Sequence, residues 1–161
     1  MNIQLLRIDD RLIHGQVVVG WVPVLGIQLL VVVNDSVAGN TMQKTLMEIA
    51  CPANLKVVFY KVKDAAAACR VAGGEKALLL FSQPLDVWDF LEAGGPVESV
   101  NIGGLHYCEG KRQMGPIVCV SDVDVKVFRD IRRRGIPIEI RAVPGDTGIP
   151  LEQQIPEILA P

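Results

Sequence analysis

Seven short runs rich in Val, Ile and Leu alternate along this chain with segments of helical spacing. No other feature of the sequence restricts the fold as strongly. The runs are Met1 to Leu6, Leu29 to Val33, Lys56 to Tyr60, Lys76 to Phe81, Val97 to Ile102, Ile117 to Val120 and Ile136 to Ile140. Strands that alternate with helices predict an α/β fold: one open, doubly wound, mostly parallel sheet with helices on both faces. With no linker, low-complexity stretch or repeat in 161 residues, a single domain over 1–161 is expected.

The helical segments carry their own punctuation. Val17 to Leu25 is an apolar helix-like run. Met42, Leu46 and Ile49 share one face of a second helix, which stops by Cys51-Pro52. Asp64 is predicted to cap an alanine-rich helix, Ala65 to Ala72, that Gly73-Gly74 ends. Ser82 is expected to cap a helix with Pro84 in its first turn and Leu85, Trp88 and Leu91 on one face. Ser121 and Asp122 cap the next helix, with Asp124 also in its first turn, Arg132 to Arg134 in its last, and Gly135 beyond. The tail is turn-rich from Val143 to Pro150, and an amphipathic piece near Leu151 to Leu159 is expected to pack back.

Ligands of open α/β sheets gather at the carboxyl ends of the strands. The loops Asp9 to Gly15, Asn34 to Ser36 and Phe81 to Pro84 belong to that edge, and Gly103 to Gly110 is expected to rim it. The richest is the first, within Arg7-Ile-Asp-Asp-Arg-Leu-Ile-His-Gly-Gln-Val17. A strand-to-helix joint offers unpaired N–H groups to an anion. Placed there, His14 is a nucleophile for a phosphoryl group, and a helix N-terminus favours its neutral form. Arg11 supplies a planar fork suited to phosphate. Gly15 lets the backbone approach a ligand.

Other residues of this edge admit two readings each. Asp9 and Asp10 either orient Arg11 or an imidazole N–H, or shape the loop. Gln16 either bonds the phosphate or lies on an exposed helical turn. Ser82 is a cap that can also turn its hydroxyl toward a phosphate. His106, among glycines, reads as exposed loop. No metal-ligand cluster accompanies the site, and phosphoryl transfer by positioning and charge does not require one. Neither GxxxxGK[ST] nor a strand-following GxGxxG is present, so a bound nucleotide cofactor has no support.

Composition narrows the class further. A net charge of -2, a pI near 5.7 and 5% aromatic residues argue against a nucleic-acid partner. No apolar run reaches the roughly 18 residues of a membrane span, and Met1-Asn-Ile-Gln lacks a basic leader, so a cytoplasmic protein is expected. The four cysteines form no C-x-x-C and read as reduced packing thiols, with Cys108 as the most exposed.

The stretch Arg7 to Val17 resembles the active-site signature of the IIB component of the sugar phosphotransferase system, mannose/fructose/sorbose class. Lys44-Thr-Leu46, Leu78 to Pro84, Val100-Asn-Ile-Gly-Gly104, Glu109 to Gln113 and Val118-Cys-Val-Ser121 resemble successive blocks of the family in the same order. The likeness runs over roughly residues 1 to 145. It departs at Leu105, where the family often has methionine, at His106-Tyr-Cys108, and in the tail from Gly145.

The resemblance implies an antiparallel edge on the sheet and a phosphohistidine at His14, usually through Nδ1. It implies that Arg11 aids transfer and that the Ser82 loop lies beside the site. It also implies a IIA phosphoryl donor, here expected as a separate polypeptide, and membrane IIC and IID components that import the sugar. The implied activity is a protein-phosphohistidine–sugar phosphotransferase, peripherally associated with its permease. A regulatory module that responds to phosphorylation without a transport role is the alternative, and an anion-binding protein without a covalent step is a third. The sugar and the oligomeric state are not encoded in any feature of the sequence.

Overall fold

Leu29 to Val33 is apolar at every position because both of its faces are covered. It is β2 of a chain that runs β1 (Asn2–Asp9), a π-helical turn (Gln16–Trp21) leading straight into α1 (Val22–Leu25), β2 (Leu29–Val33), α2 (Asp35–Ala38) and α3 (Thr41–Ile49). Then come β3 (Lys56–Tyr60), α4 (Val62–Cys69), β4 (Lys76–Phe81), α5 (Pro84–Glu92) and β5 (Val100–Gly104). The hairpin β6 (Arg112–Gly115) and β7 (Val118–Val120), α6 (Asp122–Arg133), β8 (Ile138–Ile140), β9 (Ile149–Pro150), α7 (Leu151–Gln154) and a 3-10 turn (Pro156–Leu159) complete it. The computed structural model describes residues 1–71 and 74–160.

The sheet has the order β3-β2-β4-β1-β5-β8-β9. Strands β1 to β5 and β8 are parallel, and β9 lies antiparallel on β8, the edge that the family resemblance implied. The hairpin β6–β7 forms a separate antiparallel pair. One face of the sheet packs on α4, α5, α6 and the C-terminal turns through Phe81, Phe90, Phe128, Ile131, Leu151 and Ile155. The other packs on the π turn, α1 and α2 through Leu12, Ile13, Val17, Trp21 and Val37. Because the segments after β1 and β4 leave toward opposite faces, a crevice opens between the carboxyl ends of these neighbouring strands.

Several local expectations shift. β1 extends three residues past Leu6, which turns Arg7 and Asp9 into strand residues. β5 starts later than expected and takes in Gly103 and Gly104, and β6 was not foreseen. Lys61, not Asp64, precedes α4; the N–H of Val62 is capped from another element, by Asp35 Oδ1 at 2.8 Å. The glycine end predicted for that helix falls partly on Gly73, outside the described residues, and α4 itself ends at Cys69. Gln83, not Ser82, precedes α5. Ser121 does cap α6, in a reciprocal box with Asp124.

The stripe Met42, Leu46 and Ile49 on α3 faces solvent rather than the core. Lys44 and Met47, on the opposite side of the helix, are its partly buried residues. Helical periodicity identifies a stripe but not the direction in which it points.

Candidate functional site

Residues two apart on a strand share a face. Arg7 and Asp9 therefore project together from β1, toward the face covered by the π turn. Both are fully buried. Arg7 Nη2 donates to Asp9 Oδ2 at 3.0 Å. The other Nη donors of the guanidinium go to Asn101 Oδ1 at 2.7 Å and to the carbonyls of Arg141 and Ala142, each at 3.0 Å, while its buried Nε–H meets no protein acceptor. Its Cζ lies 5.6 Å from the Trp21 ring centroid, within reach of a cation–π contact. Gly103 makes room for it: a Cβ there would stand 1.8 Å from Arg7 Cζ.

Beyond Asp9 the chain reverses sharply. Asp10 N–H bonds to Gly104 O and Leu12 N–H to Asp9 O. Leu12 takes a φ of 55°, a left-handed conformation rare outside glycine. The burial of its side chain in the core holds it there. The reversal swings His14 back over Asp9, so that His14 Nε2 stands 2.8 Å from Asp9 Oδ2. Arg11 donates from its backbone N–H and from Nε to Asp9 Oδ1, at 3.2 and 3.3 Å. Its Nη2 reaches Gln16 Oε1 at 3.0 Å.

Asp9 is thus the hub: one carboxylate accepts from Arg7, Arg11 and the His14 ring. Burial pushes its pKa up, but the hydrogen bond from His14 and the charges of His14, Arg7 and Arg11 outweigh that, and the net shift is downward. Burial lowers the pKa of Arg7, partly offset by Asp9. Asp9 therefore orients both the His14 ring and Arg11, the first of the two readings that its position in the sequence allowed. The helical segment does begin where predicted, with the N–H groups of Val17 and Val18 both bonded to His14 O.

The other candidates fall around this hub. Gly15 is exposed, and a Cβ added to it would meet nothing within 4 Å. Gln16 engages Arg11. Asp10 orients an imidazole, but that of His106 rather than His14. Ser82 follows Phe81, which pairs with Ile8 across the crevice. Its hydroxyl accepts from Asn34 Nδ2 at 2.8 Å and donates to Asp86 Oδ2 at 3.4 Å, so the structure does not bond it to the His14 cluster. Burial raises the Asp86 carboxyl, opposed by hydrogen bonds from Gln83 and Ser82.

Sequence reasoning attached no role to Asn101, and to Gly103 only that of loop. Their signal was the pair of small or polar residues at alternate positions in an otherwise apolar strand, beside a strand whose own polar residues alternate. Among the described residues no helix is long and apolar enough to cross a membrane.

Fold and site together define an open α/β protein with a carboxylate-held histidine at the topological switch of its sheet. The model of the PTS system sorbose subfamily IIB component matches residues 3–158. The chain is 38% identical over 148 residues to the fructose-specific EIIB component of the phosphotransferase system from Bacillus subtilis, covering 91% of each chain. It is 38% identical over 158 residues to the N-acetylgalactosamine-specific phosphotransferase enzyme IIB component 1 of Escherichia coli, covering 97% of this chain and 98% of that one. The crystal structure of the IIBSor domain of the sorbose permease from Klebsiella pneumoniae superposes with a TM-score of 0.91 at 33% identity over 98% of both chains. This chain belongs to the sorbose subfamily of phosphotransferase-system IIB components. Such components are phosphotransferases that accept a phosphoryl group from a IIA component and pass it to sugar.

Proposed function

We propose that His14 is the phosphoryl carrier of this IIB component and that the group resides on Nδ1. The observation that carries this reading is the 2.8 Å contact between His14 Nε2 and Asp9 Oδ2. A carboxylate only accepts, so the ring proton belongs on Nε2 and the lone pair on Nδ1.

Nδ1 attacks the phosphorus of the donor phosphohistidine. The P–N bond to the donor breaks as the new P–N bond forms, and no proton need move on His14. The ring then carries positive charge, which Asp9 faces directly. In the second step a sugar hydroxyl displaces His14, forming a P–O bond and releasing its proton to water or a neighbouring base.

Arg11, 42% exposed at its side chain, is the charge free to turn onto the transferring oxygens. The first N–H groups of the helical segment, at Gly15 and Gln16, have no intrahelical acceptor and complete the cradle. Ser82 joins it only by rotating its hydroxyl away from Asp86. Asp9 positions the ring, and Arg7 holds Asp9.

The full chain 1–161 acts as one IIB unit on this reading, with a IIA phosphoprotein upstream and membrane IIC and IID components downstream. It works in the cytoplasm, at the inner face of the permease. The sugar is left open, since relatives of similar identity are named for fructose, N-acetylgalactosamine and sorbose.

The test is incorporation of labelled phosphate from phosphoenolpyruvate through the upstream proteins. Acid-labile, alkali-stable label on a peptide containing His14 is expected, with none in His14→Ala. Undiminished label in that variant would sink the proposal.

A further inference from the structure

The second histidine of the chain is not a free loop residue. Asp10 holds it at two points: the backbone N–H of His106 donates to Asp10 Oδ2, and His106 Nδ1 stands against Asp10 Oδ1, both at 2.6 Å. Asp10 is in turn fixed to the sheet by its N–H on Gly104 O. The side chain is 55% exposed, yet its ring is pinned at one end.

The ring is pinned beside the site. Around the position a Cβ on Gly104 would take stand His106 Cε1 at 3.3 Å, Asp9 Oδ1 at 3.6 Å and Arg11 Nη2 at 3.7 Å. Gly104, having no side chain, leaves a small common space to an imidazole, a guanidinium and the hub carboxylate. With Nδ1 committed to Asp10, the one ring nitrogen left for a ligand is Nε2. The charged groups about it are Asp10, Asp9 and Arg11, with His14 bonded to the far oxygen of Asp9.

We propose that His106 is a second phosphate-contacting residue, whose Nε2 donates to the phosphoryl group on His14. The inference rests on His14 as carrier and adds a ligand to that site. An imidazole that keeps its single proton on Nδ1, against Asp10, holds a lone pair on Nε2. When the dianionic phosphoryl group arrives, His106 takes a proton from water onto Nε2 and forms a charge-assisted hydrogen bond, with Asp10 balancing the new charge. No bond to phosphorus is made or broken by His106. Acceptance of the phosphoryl group is therefore coupled to uptake of one proton and is favoured at lower pH.

The experiment uses the full chain alone with phosphoramidate, a small N–P donor, and locates the label by peptide mass spectrometry. The rate and extent of labelling at His14 are followed from about pH 5.5 to 8.5 in the wild type, His106→Gln and Asp10→Asn. A charge-assisted hydrogen bond predicts about a ten-fold loss in His106→Gln near the acid end, shrinking toward the alkaline end. Asp10→Asn, which frees the ring, is expected to lose most of the same pH-dependent component. A residue that merely shapes the loop would lower labelling equally at every pH. Label at His14 with parallel profiles in wild type and His106→Gln overturns the role of His106 alone. No label at His14 in the wild type brings down the carrier reading and this one with it.

Discussion

Arg7 and Asp9 form an ion pair of 3.0 Å in which neither side chain has any solvent exposure. They are neighbours on one face of β1. A pair so placed costs a great deal to bury, and its removal by halves costs more, because one charge is left without its partner. Its use here is orientation: Asp9 keeps a fixed direction under a histidine that must present one particular nitrogen.

Arg7→Met is expected to destabilise the protein by about 3–5 kcal/mol. Gly103→Ala is expected to be comparably damaging while Arg7 is present, since the new methyl group would overlap the guanidinium. In the double variant the shorter side chain vacates that space, so the two losses are not additive. Urea unfolding of the four proteins measures the coupling. Additive losses would show that Gly103 is needed for something other than Arg7.

Asp9→Asn removes the preference for a proton on His14 Nε2. By the precedent of other carboxylate-held histidines, the rate of phosphoryl acceptance is expected to fall by roughly 10²- to 10⁴-fold. The ionised carboxylate also contributes to stability. Its pKa is below 3.8 when folded, so this contribution is fully present above 3.8 and is lost as pH falls through the lower folded value. The stability gap between wild type and Asp9→Asn is thus expected to persist down to about pH 4 and to close only in stronger acid. Unfolding curves at stepped pH would reveal a gap that closed earlier.

Gly15 has a φ of -52° and open space where a Cβ would point, so nothing in the fold requires glycine there. Gly15→Ala is expected to leave stability unchanged or raise it by about 0.4–1 kcal/mol. Transfer from a bulky IIA phosphoprotein should slow nonetheless, because the methyl group stands beside His14 on the face a partner must approach. Labelling by small phosphoramidate should be affected far less. Equal slowing with both donors would argue against a steric role.

Leu46 lies on the exposed stripe of α3. Leu46→Ser is therefore expected to change stability by no more than about 0.5 kcal/mol, where a core leucine would cost several times as much. A thermal melt decides between the two.

Much of this was legible in the chain. Six of the seven apolar runs identified the parallel strands of the sheet, because strands packed between layers leave a continuous signal, and the seventh fell on β7 of the antiparallel hairpin. The Arg7 to Val17 stretch identified the site because so many polar residues at the end of a strand have no place in a core. Four things were hidden. Whether β1 ended at Leu6 or Asp9 depended on burying a charge pair, which local pattern treats as a loop. The tie from Asp10 to His106 spans 96 positions and leaves no periodic trace. The direction of the α3 stripe, and the cap on Val62 from Asp35, are tertiary choices that local sequence does not contain.

The segment after His14 has one consequence of its own. Val22 N–H reaches back five residues to Val17 O, one more than an α-helix allows. The widened turn absorbs an extra residue between the histidine loop and Trp21, whose indole N–H bonds to Ala142 O and whose ring lies near both Arg7 and Arg141. An α-helix turns about 100° per residue. A one-residue deletion between Gln16 and Gly20 would restore α geometry and rotate Trp21 by about that angle away from both guanidinium groups. The length of this segment therefore acts as a phase setting for Trp21, independent of which side chains occupy its exposed positions.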